Sequence, residues 1–247
     1  QQQPQQQQQQ RSLLLSRLDR ALLARIVHML DGAPLLRFAM TCRSLRELAS
    51  VECRRFRAPF GCRPQLITAL PSLLPAVGML SLRGAYALLT DRHVADIGPA
   101  PLGTACTNLT QLDCSDCTLL SPAAVPALIL SCTGLRSLDC SGTRMMTPTV
   151  LDSLTALFDL CTLSIARCEQ VVDGSLSFLP LAQLTSLDIG QNANITGSGL
   201  SLISARCTRL QSLSLSQLIV INDDSARALL SLRATLRELN LDGLRRL

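Results

Sequence analysis

One apolar motif recurs seven times in this chain, as Leu-x-x-Leu-x-Leu with occasional Val, Ile or Cys. Its copies are 77–82, 109–114, 135–140, 160–165, 184–189, 210–215 and 236–241. Their first residues are 32, 26, 25, 24, 26 and 26 positions apart. Because side chains of a strand alternate between two faces, the last two apolar residues of each copy point the same way. The motif therefore predicts one short strand per copy, with one buried face and one open face.

Other positions keep the same register between the copies. A turn position follows three residues after each motif and holds Cys117, Thr143, Cys168, Asn192, Leu218 and Leu244. Apolar residues follow at Leu120, Met146, Val171, Ile195 and Ile221, and again at Leu128, Leu154, Leu179, Ile203 and Leu229. Between these two sets lie residues typical of helix starts, Ser121-Pro122, Thr147-Pro148, Asp173, Thr196 and Asp223. Each unit is thus predicted to be a strand, a turn and a short helix.

A repeat of this length and composition resembles the leucine-rich repeat, whose strand-plus-helix units stack into a horseshoe. Cysteine precedes the motif at Cys106, Cys132 and Cys207, which resembles the cysteine-containing subclass common in F-box proteins. The resemblance implies an α/β solenoid of about seven repeats over residues 65–247. We expect this domain to be truncated at its C-terminus and to bind a partner on its concave face.

The segment before the repeats differs in composition. Residues 1–15 open with nine glutamines and one proline in ten positions, a low-complexity tail that we expect to be disordered. Within residues 16–64, the spacing of Leu22, Leu23, Ile26, Val27 and Leu30 predicts one helical stripe. A second stripe follows the break at 31–34 and runs through Leu35, Leu36, Ala39, Cys42, Leu45 and Leu48.

These helical stripes resemble an F-box, the module that docks on the Skp adaptor of cullin-based ubiquitin ligases. Asp19 and Leu45 stand where the family usually has Pro and Trp. The resemblance implies an adaptor-binding set of Leu18, Leu22, Ile26, Leu30, Leu36, Cys42 and Arg43. Residues 1–64 hold eleven arginines against four acids, a net charge of +7, which suits an acidic adaptor. The alternative is a helical cap that seals the open end of the solenoid.

The concave face is predicted from the outward positions of the strands. Its candidate partner-binding residues are Asp113, Ser115, Asp139, Ser141, Ser164, Asp188, Ser214, Glu238, Asn240 and Asp242. Five acids on this face oppose one basic residue, Arg83, so we expect a basic or polar protein partner. The alternative is that these side chains only keep the surface hydrated. As a surface substitution, Asp139→Ala is expected to change stability by no more than about 0.5 kcal/mol.

Several classes of function find little support in the sequence. His28 and His93 are the only histidines, and no nucleophile-elbow or phosphate-loop motif occurs, so we expect no catalytic residue and no enzyme activity. The spacing of Cys114 and Cys117 imitates a metal motif, but the repeat accounts for both, and we expect neither a metal nor a cofactor. With no Trp and one Tyr, nucleic-acid binding is not expected.

The cellular setting is inferred from cysteine usage and hydropathy. An odd number of cysteines, eleven, with no secretion signal indicates a reducing compartment, the cytoplasm or the nucleus. No apolar run has the length of about 18 residues that a membrane span needs, so no membrane association is expected.

Together these features predict a substrate-recognition subunit of a cullin–Skp–F-box ubiquitin ligase. Its partners would be the Skp-type adaptor with its cullin complex and a target protein. The alternative is a non-catalytic scaffold or inhibitor in a protein or ribonucleoprotein assembly.

Overall fold

The strands form a single parallel sheet in which every neighbour is also the neighbour in sequence. This architecture comes from a computed structural model that describes residues 25, 30, 34–35, 43–61, 74–92, 108–124 and 132–244. The strands are β1 (Arg55–Arg57), β2 (Met79–Ser81), β3 (Gln111–Asp113), β4 (Ser137–Asp139), β5 (Thr162–Ser164), β6 (Ser186–Asp188), β7 (Ser212–Ser214) and β8 (Glu238–Asn240). This order confirms the predicted leucine-rich-repeat solenoid.

The register of the sheet follows the leucine at the centre of each strand. Leu80 pairs with Leu112, and the ladder continues through Leu138, Leu163, Leu187, Leu213 and Leu239. From β2 to β7 these leucines are buried, whereas Leu239 is 41% exposed because β8 has a neighbouring strand on one side only. Each fully buried leucine contributes about 1.5–3 kcal/mol relative to an exposed one. The stacked leucines therefore form a continuous core between the units.

Four α-helices have both of their ends in the described part of the chain. They are α1 (Arg43–Glu52), α2 (Pro148–Ser153), α3 (Gly197–Arg206) and α4 (Asp223–Ala226). Four 3₁₀ helices accompany them at Arg83–Ala85, Leu154–Ala156, Asp173–Phe178 and Arg227–Leu232. Short helices fit units of 24–26 residues because the strand and the turn leave little chain for a longer one.

The helix starts agree with the sequence pattern in two of the described units and differ in two others. Thr147 and Thr196 are N-caps, as predicted, and their side chains accept from Val150 N and Ser198 N. Asn222, rather than Asp223, caps α4. The carboxylate of Asp173 accepts from the backbone N–H and the hydroxyl of Thr196, at 2.8 and 2.5 Å, and thus links two neighbouring units.

The turns after six of the seven motifs share one unusual backbone conformation. Two residues past the last apolar residue, the φ angle is positive at Asp116, Gly142, Arg167, Gln191, Gln217 and Gly243. Most L-residues adopt this left-handed region at a cost of about 1–3 kcal/mol. The conformation directs the backbone N–H of the turn to a carbonyl of the next unit, as from Asp116 to Ser141 at 2.8 Å and from Gln191 to Ser216 at 2.7 Å. A bond between units therefore accompanies five of these six turns.

The sheet has eight strands rather than one for each of the seven motifs. The additional strand is β1, where Phe56 pairs with Leu80. Cys53, Phe56 and Ala58 are buried in the positions that the motif gives to its three apolar residues. They lie 24 residues before Val77, Leu80 and Leu82. This strand falls inside residues 16–64, the range predicted to be a helical segment, and the division of the chain into domains stays a prediction.

Candidate functional site

The open face of the sheet is built by the residues that flank each buried leucine. In β3, for example, Leu112 points into the core while Gln111 and Asp113 lie on the opposite side. The predicted partner-binding residues lie on this concave face and differ in solvent exposure. Ser115 and Ser141 are buried, Asp113, Asp139, Ser164, Asp188 and Ser214 are half-buried, and Glu238, Asn240 and Asp242 are exposed. Their role in binding a partner stays a prediction.

Three of the five acidic residues on this face have a structural role that the sequence pattern does not show. At the end of its strand, Asp139 Oδ1 accepts from the backbone N–H of Ser141 at 2.9 Å. Asp113 does the same for Ser115, and Asp188 for Gly190. In β8 the amide oxygen of Asn240 accepts from Asp242 N at 2.8 Å, so the task requires an oxygen and not a charge. These bonds help turn the chain at the ends of β3, β4, β6 and β8.

Further hydrogen bonds tie the concave face together from unit to unit. Ser81 Oγ donates to Asp113 Oδ2 at 2.7 Å, and Ser115 Oγ donates to Asp113 Oδ1 at 2.6 Å. The hydroxyls of Ser141 and Ser164 lie 2.6 Å apart. Asp139→Ala would therefore remove a hydrogen bond from a half-buried network. The expected loss of stability rises to about 1 kcal/mol, above that of an ordinary surface substitution.

Beside the face, one carboxylate joins arginines from two other units. Asp116 Oδ2 lies 3.2 Å from Arg83 Nη2, and Asp116 Oδ1 lies 2.9 Å from Arg167 Nη2. Gly142 stands between these partners, and a Cβ there would come within 2.5 Å of Asp116 Oδ1. The absence of a side chain at Gly142 thus leaves room for the ion pair to cross an intervening unit.

The turn positions hold the units together from inside. Asn192 is 1% exposed, and its amide donates to the carbonyls of Ile165 and Ile189 while its oxygen accepts from Cys168 N. In the preceding unit, the thiol of Cys168 donates to the carbonyl of Cys140 at 3.3 Å. A polar residue at this position therefore satisfies backbone groups of its own unit and of the one before.

Seven of the eight cysteines in the described ranges are buried. Burial raises the pKa of Cys117 and of Cys207 to about 12, and it raises those of Cys114 and Cys140 as well. Neutral thiols of this kind pack as small apolar groups and react slowly. Within the same ranges, no three His, Cys, Asp or Glu side chains lie close enough together to hold a metal ion.

Most of the predicted adaptor-binding residues lie outside the described part of the chain, namely Leu18, Leu22, Ile26, Leu36 and Cys42. Leu30 is half-buried against the hydrophobic core, and Arg43 is the first residue of α1. Leu35 and Leu48 of the second predicted stripe are buried in the same core. At least part of this segment therefore packs onto the solenoid.

Functional candidates at the β1 end of the face do not follow from the sequence motif. Arg55 and Arg57 are exposed on either side of Phe56, so they extend the concave face by one strand. Phe60 and Tyr86 follow β1 and β2, and their ring centroids lie 5.8 Å apart. The 24-residue spacing from Cys53 to Val77 was the available signal, but the motif there contains no leucine.

Each helix within the described ranges is too short or too polar to span a bilayer.

Comparison with known proteins finds similarity in structure and none in sequence families. No family model matches the chain, and no curated protein matches it. A chain of the yeast Rad7–Elc1 complex superposes with a TM-score of 0.52 at 16% identity, over 76% of this chain and 49% of that one. This chain thus spans about half the length of that relative. At this identity the likeness supports the fold alone.

Two other solved structures are similar at lower scores. A chain of the TLR13–ssRNA13 complex has a TM-score of 0.48 and 13% identity, over 77% of this chain and 29% of that one. A Bacteroides fragilis protein has a TM-score of 0.44 and 12% identity, over 79% of this chain and 67% of that one.

Proposed function

We propose that this chain is a substrate-recognition subunit of a cullin–Skp–F-box ubiquitin ligase and that it binds its target on the concave face. The proposed binding of a target rests on the uninterrupted eight-stranded sheet, whose polar face runs in register from β1 to β8. Solenoids with such extended faces bind partner proteins. The proposed activity is binding and not catalysis.

The adaptor part of the proposal rests on the F-box resemblance of residues 16–50 and on the net charge of +7 in residues 1–64. A similar fold occurs in the yeast Rad7–Elc1 complex, so a chain of this architecture is found in a complex with another protein. A basic docking segment would also accelerate association with an acidic adaptor.

Co-purification tests the adaptor part directly. The tagged full chain should recover a Skp adaptor and a cullin, whereas Ile26→Asp should recover neither, because it places a charge in a desolvated contact. Val51→Asp is the matched control, since Val51 is an exposed apolar residue of α1 outside the predicted set. Thermal melts of both variants would show that the fold is retained. Absence of the adaptor from the intact chain would end the ligase proposal.

The second candidate function is a non-catalytic scaffold or inhibitor whose N-terminal segment caps the solenoid. The burial of Leu35 and Leu48 in the common core favours this role, because a cap must cover the first unit. The same co-purification separates the two functions. A scaffold would keep a target on the concave face but would recover no Skp adaptor and no cullin.

A further inference from the structure

A preformed cavity of about 890 Å³ lies at the β1 end of the concave face, where the first three strands turn outward. Its principal lining residues are Arg57, Phe60, Arg83, Tyr86, Asp113 and Asp116. The volume is typical of sites that hold a compact ligand group. None of the functions considered above uses the aromatic residues of this cavity.

The walls of the cavity are held by bonds between neighbouring units. Ala58 N donates to Ser81 O at 2.8 Å, and Gly61 N donates to Gly84 O at 2.9 Å. A side chain at Gly84 would collide with the carbonyl of Ala58, so this glycine permits the close approach of the two loops. A partner would consequently find the cavity already formed and would lose little free energy in ordering it.

The aromatic pair gives the cavity an exposed apolar wall. Phe60 is 83% exposed, and its ring is inclined by 52° to that of Tyr86. A phenylalanine so exposed contributes little to folding, because most of its apolar area stays in water. Aromatic residues and arginine carry much of the binding energy in protein interfaces. This corner of the face therefore has the composition of a contact that dominates binding.

The corner carries a net positive charge that favours an anionic partner, because Arg55, Arg57 and Arg83 outnumber Asp113 and Asp116. Both oxygens of Asp116 are engaged by arginines, and both oxygens of Asp113 accept hydrogen bonds from serines of this chain. A guanidinium carries five N–H donors, and Arg83 reaches Asp116 through Nη2. Arg55 and Arg57 add two further positive charges on β1.

The opposite end of the face has the reverse charge. From β4 to β8 its outward positions include Asp139, Asp188, Glu238 and Asp242 and no basic residue. The face is therefore polarised along the stack of units, positive at β1 and negative toward β8.

We propose that this cavity binds an acidic, extended segment of a partner protein, with one apolar side chain between Phe60 and Tyr86 and a flanking carboxylate at Arg57 and Arg83. The inference rests on the proposed use of the concave face and adds the chemistry of the bound segment. The polarised face also sets a direction, in which the acidic part of the partner lies at β1 and any basic part lies toward β8. Complementary charge fixes such an orientation.

Fluorescence anisotropy with the full chain and synthetic peptides tests the proposal. The main probe is a labelled peptide with one phenylalanine flanked by glutamates, and two comparison peptides replace the phenylalanine by alanine or the glutamates by arginines. We expect the acidic phenylalanine peptide to bind at least about tenfold more tightly than either comparison peptide. Its affinity should decrease as the salt concentration rises.

Variants of the protein then locate the binding. Phe60→Ala should weaken the main probe about tenfold, and Arg57→Gln should weaken it and reduce its dependence on salt. Phe158→Ala is the matched control, because Phe158 is also 83% exposed but lies away from the cavity. This variant should bind the main probe as tightly as the unmodified chain does. Melting temperatures would show that all three variants are folded.

Two results would overturn the inference: tighter binding of the arginine peptide, or equal affinities of the Phe60 and Phe158 variants. Failure to recover a Skp adaptor would leave the peptide measurements unaffected, because adaptor docking involves residues 16–50. The two proposals can therefore fail separately.

Discussion

Replacing Asn192 by alanine should be among the most damaging single changes in this solenoid. Its side chain makes three hydrogen bonds to backbone groups, with Cys168 N at 2.7 Å, Ile165 O at 2.9 Å and Ile189 O at 2.8 Å. Alanine would leave one donor and two acceptors buried, and each such group costs about 1–3 kcal/mol. Partial relaxation of the turn brings the expected loss to roughly 3–5 kcal/mol. That is a large part of the roughly 5–15 kcal/mol that stabilises a typical domain.

Equilibrium unfolding in urea would measure the loss, and two further variants would assign its cause. Asn194→Ala removes an exposed asparagine with one hydrogen bond, to Glu169 O, and should cost less than about 1 kcal/mol. Asn192→Leu restores most of the volume, and leucine does occupy the equivalent position at Leu218. If hydrogen bonding is the cause, the leucine variant should remain destabilised by more than about 2 kcal/mol. A leucine variant as stable as the unmodified chain would refute this account.

Two further predictions concern the sheet and the thiols. Leu138→Asp should cost more than about 3 kcal/mol, Asp139→Ala about 1 kcal/mol through its lost bond to the next turn, and Asp139→Asn almost nothing, since the amide oxygen still accepts. Urea unfolding of the three variants would check this order, and equal losses at both positions would mean that the register is wrong. Burial raises the pKa of Cys117 from its ordinary value of 9.0 to about 12, and that of Cys207 also to about 12. The unfolded chain therefore loses these protons first, so stability should fall as the pH rises from about 9 toward 12, as thermal melts at alkaline pH would show. In the native protein near neutral pH, a thiol reagent should modify half-buried Cys161 before either of them, and mass spectrometry would contradict this if Cys117 reacted first.

The sequence alone determined the repeat, its register and the core residues of the seven motifs. This was possible because alternation along a strand and recurrence between units are both properties of the linear chain. The motif alone predicts that Leu112 and Leu138 lie beside each other and face inward. The concave positions followed from the same alternation. The adaptor-binding segment depended on resemblance instead, and it stays a prediction.

Only the tertiary structure decided which residues of different units contact each other. The strand at Phe56 escaped detection because an aromatic residue fills the leucine position, and burial there depends on volume rather than on residue name. From the sequence, the carboxylate of Asp139 is expected to be an ordinary surface charge. Its hydrogen bond with the backbone N–H of Ser141 depends on how the chain turns after the strand. Phe60 and Tyr86 meet although 26 positions separate them, because the stacking of units sets which loops become neighbours. Lateral contacts of this kind arise from packing in three dimensions, which the spacing within one unit does not encode.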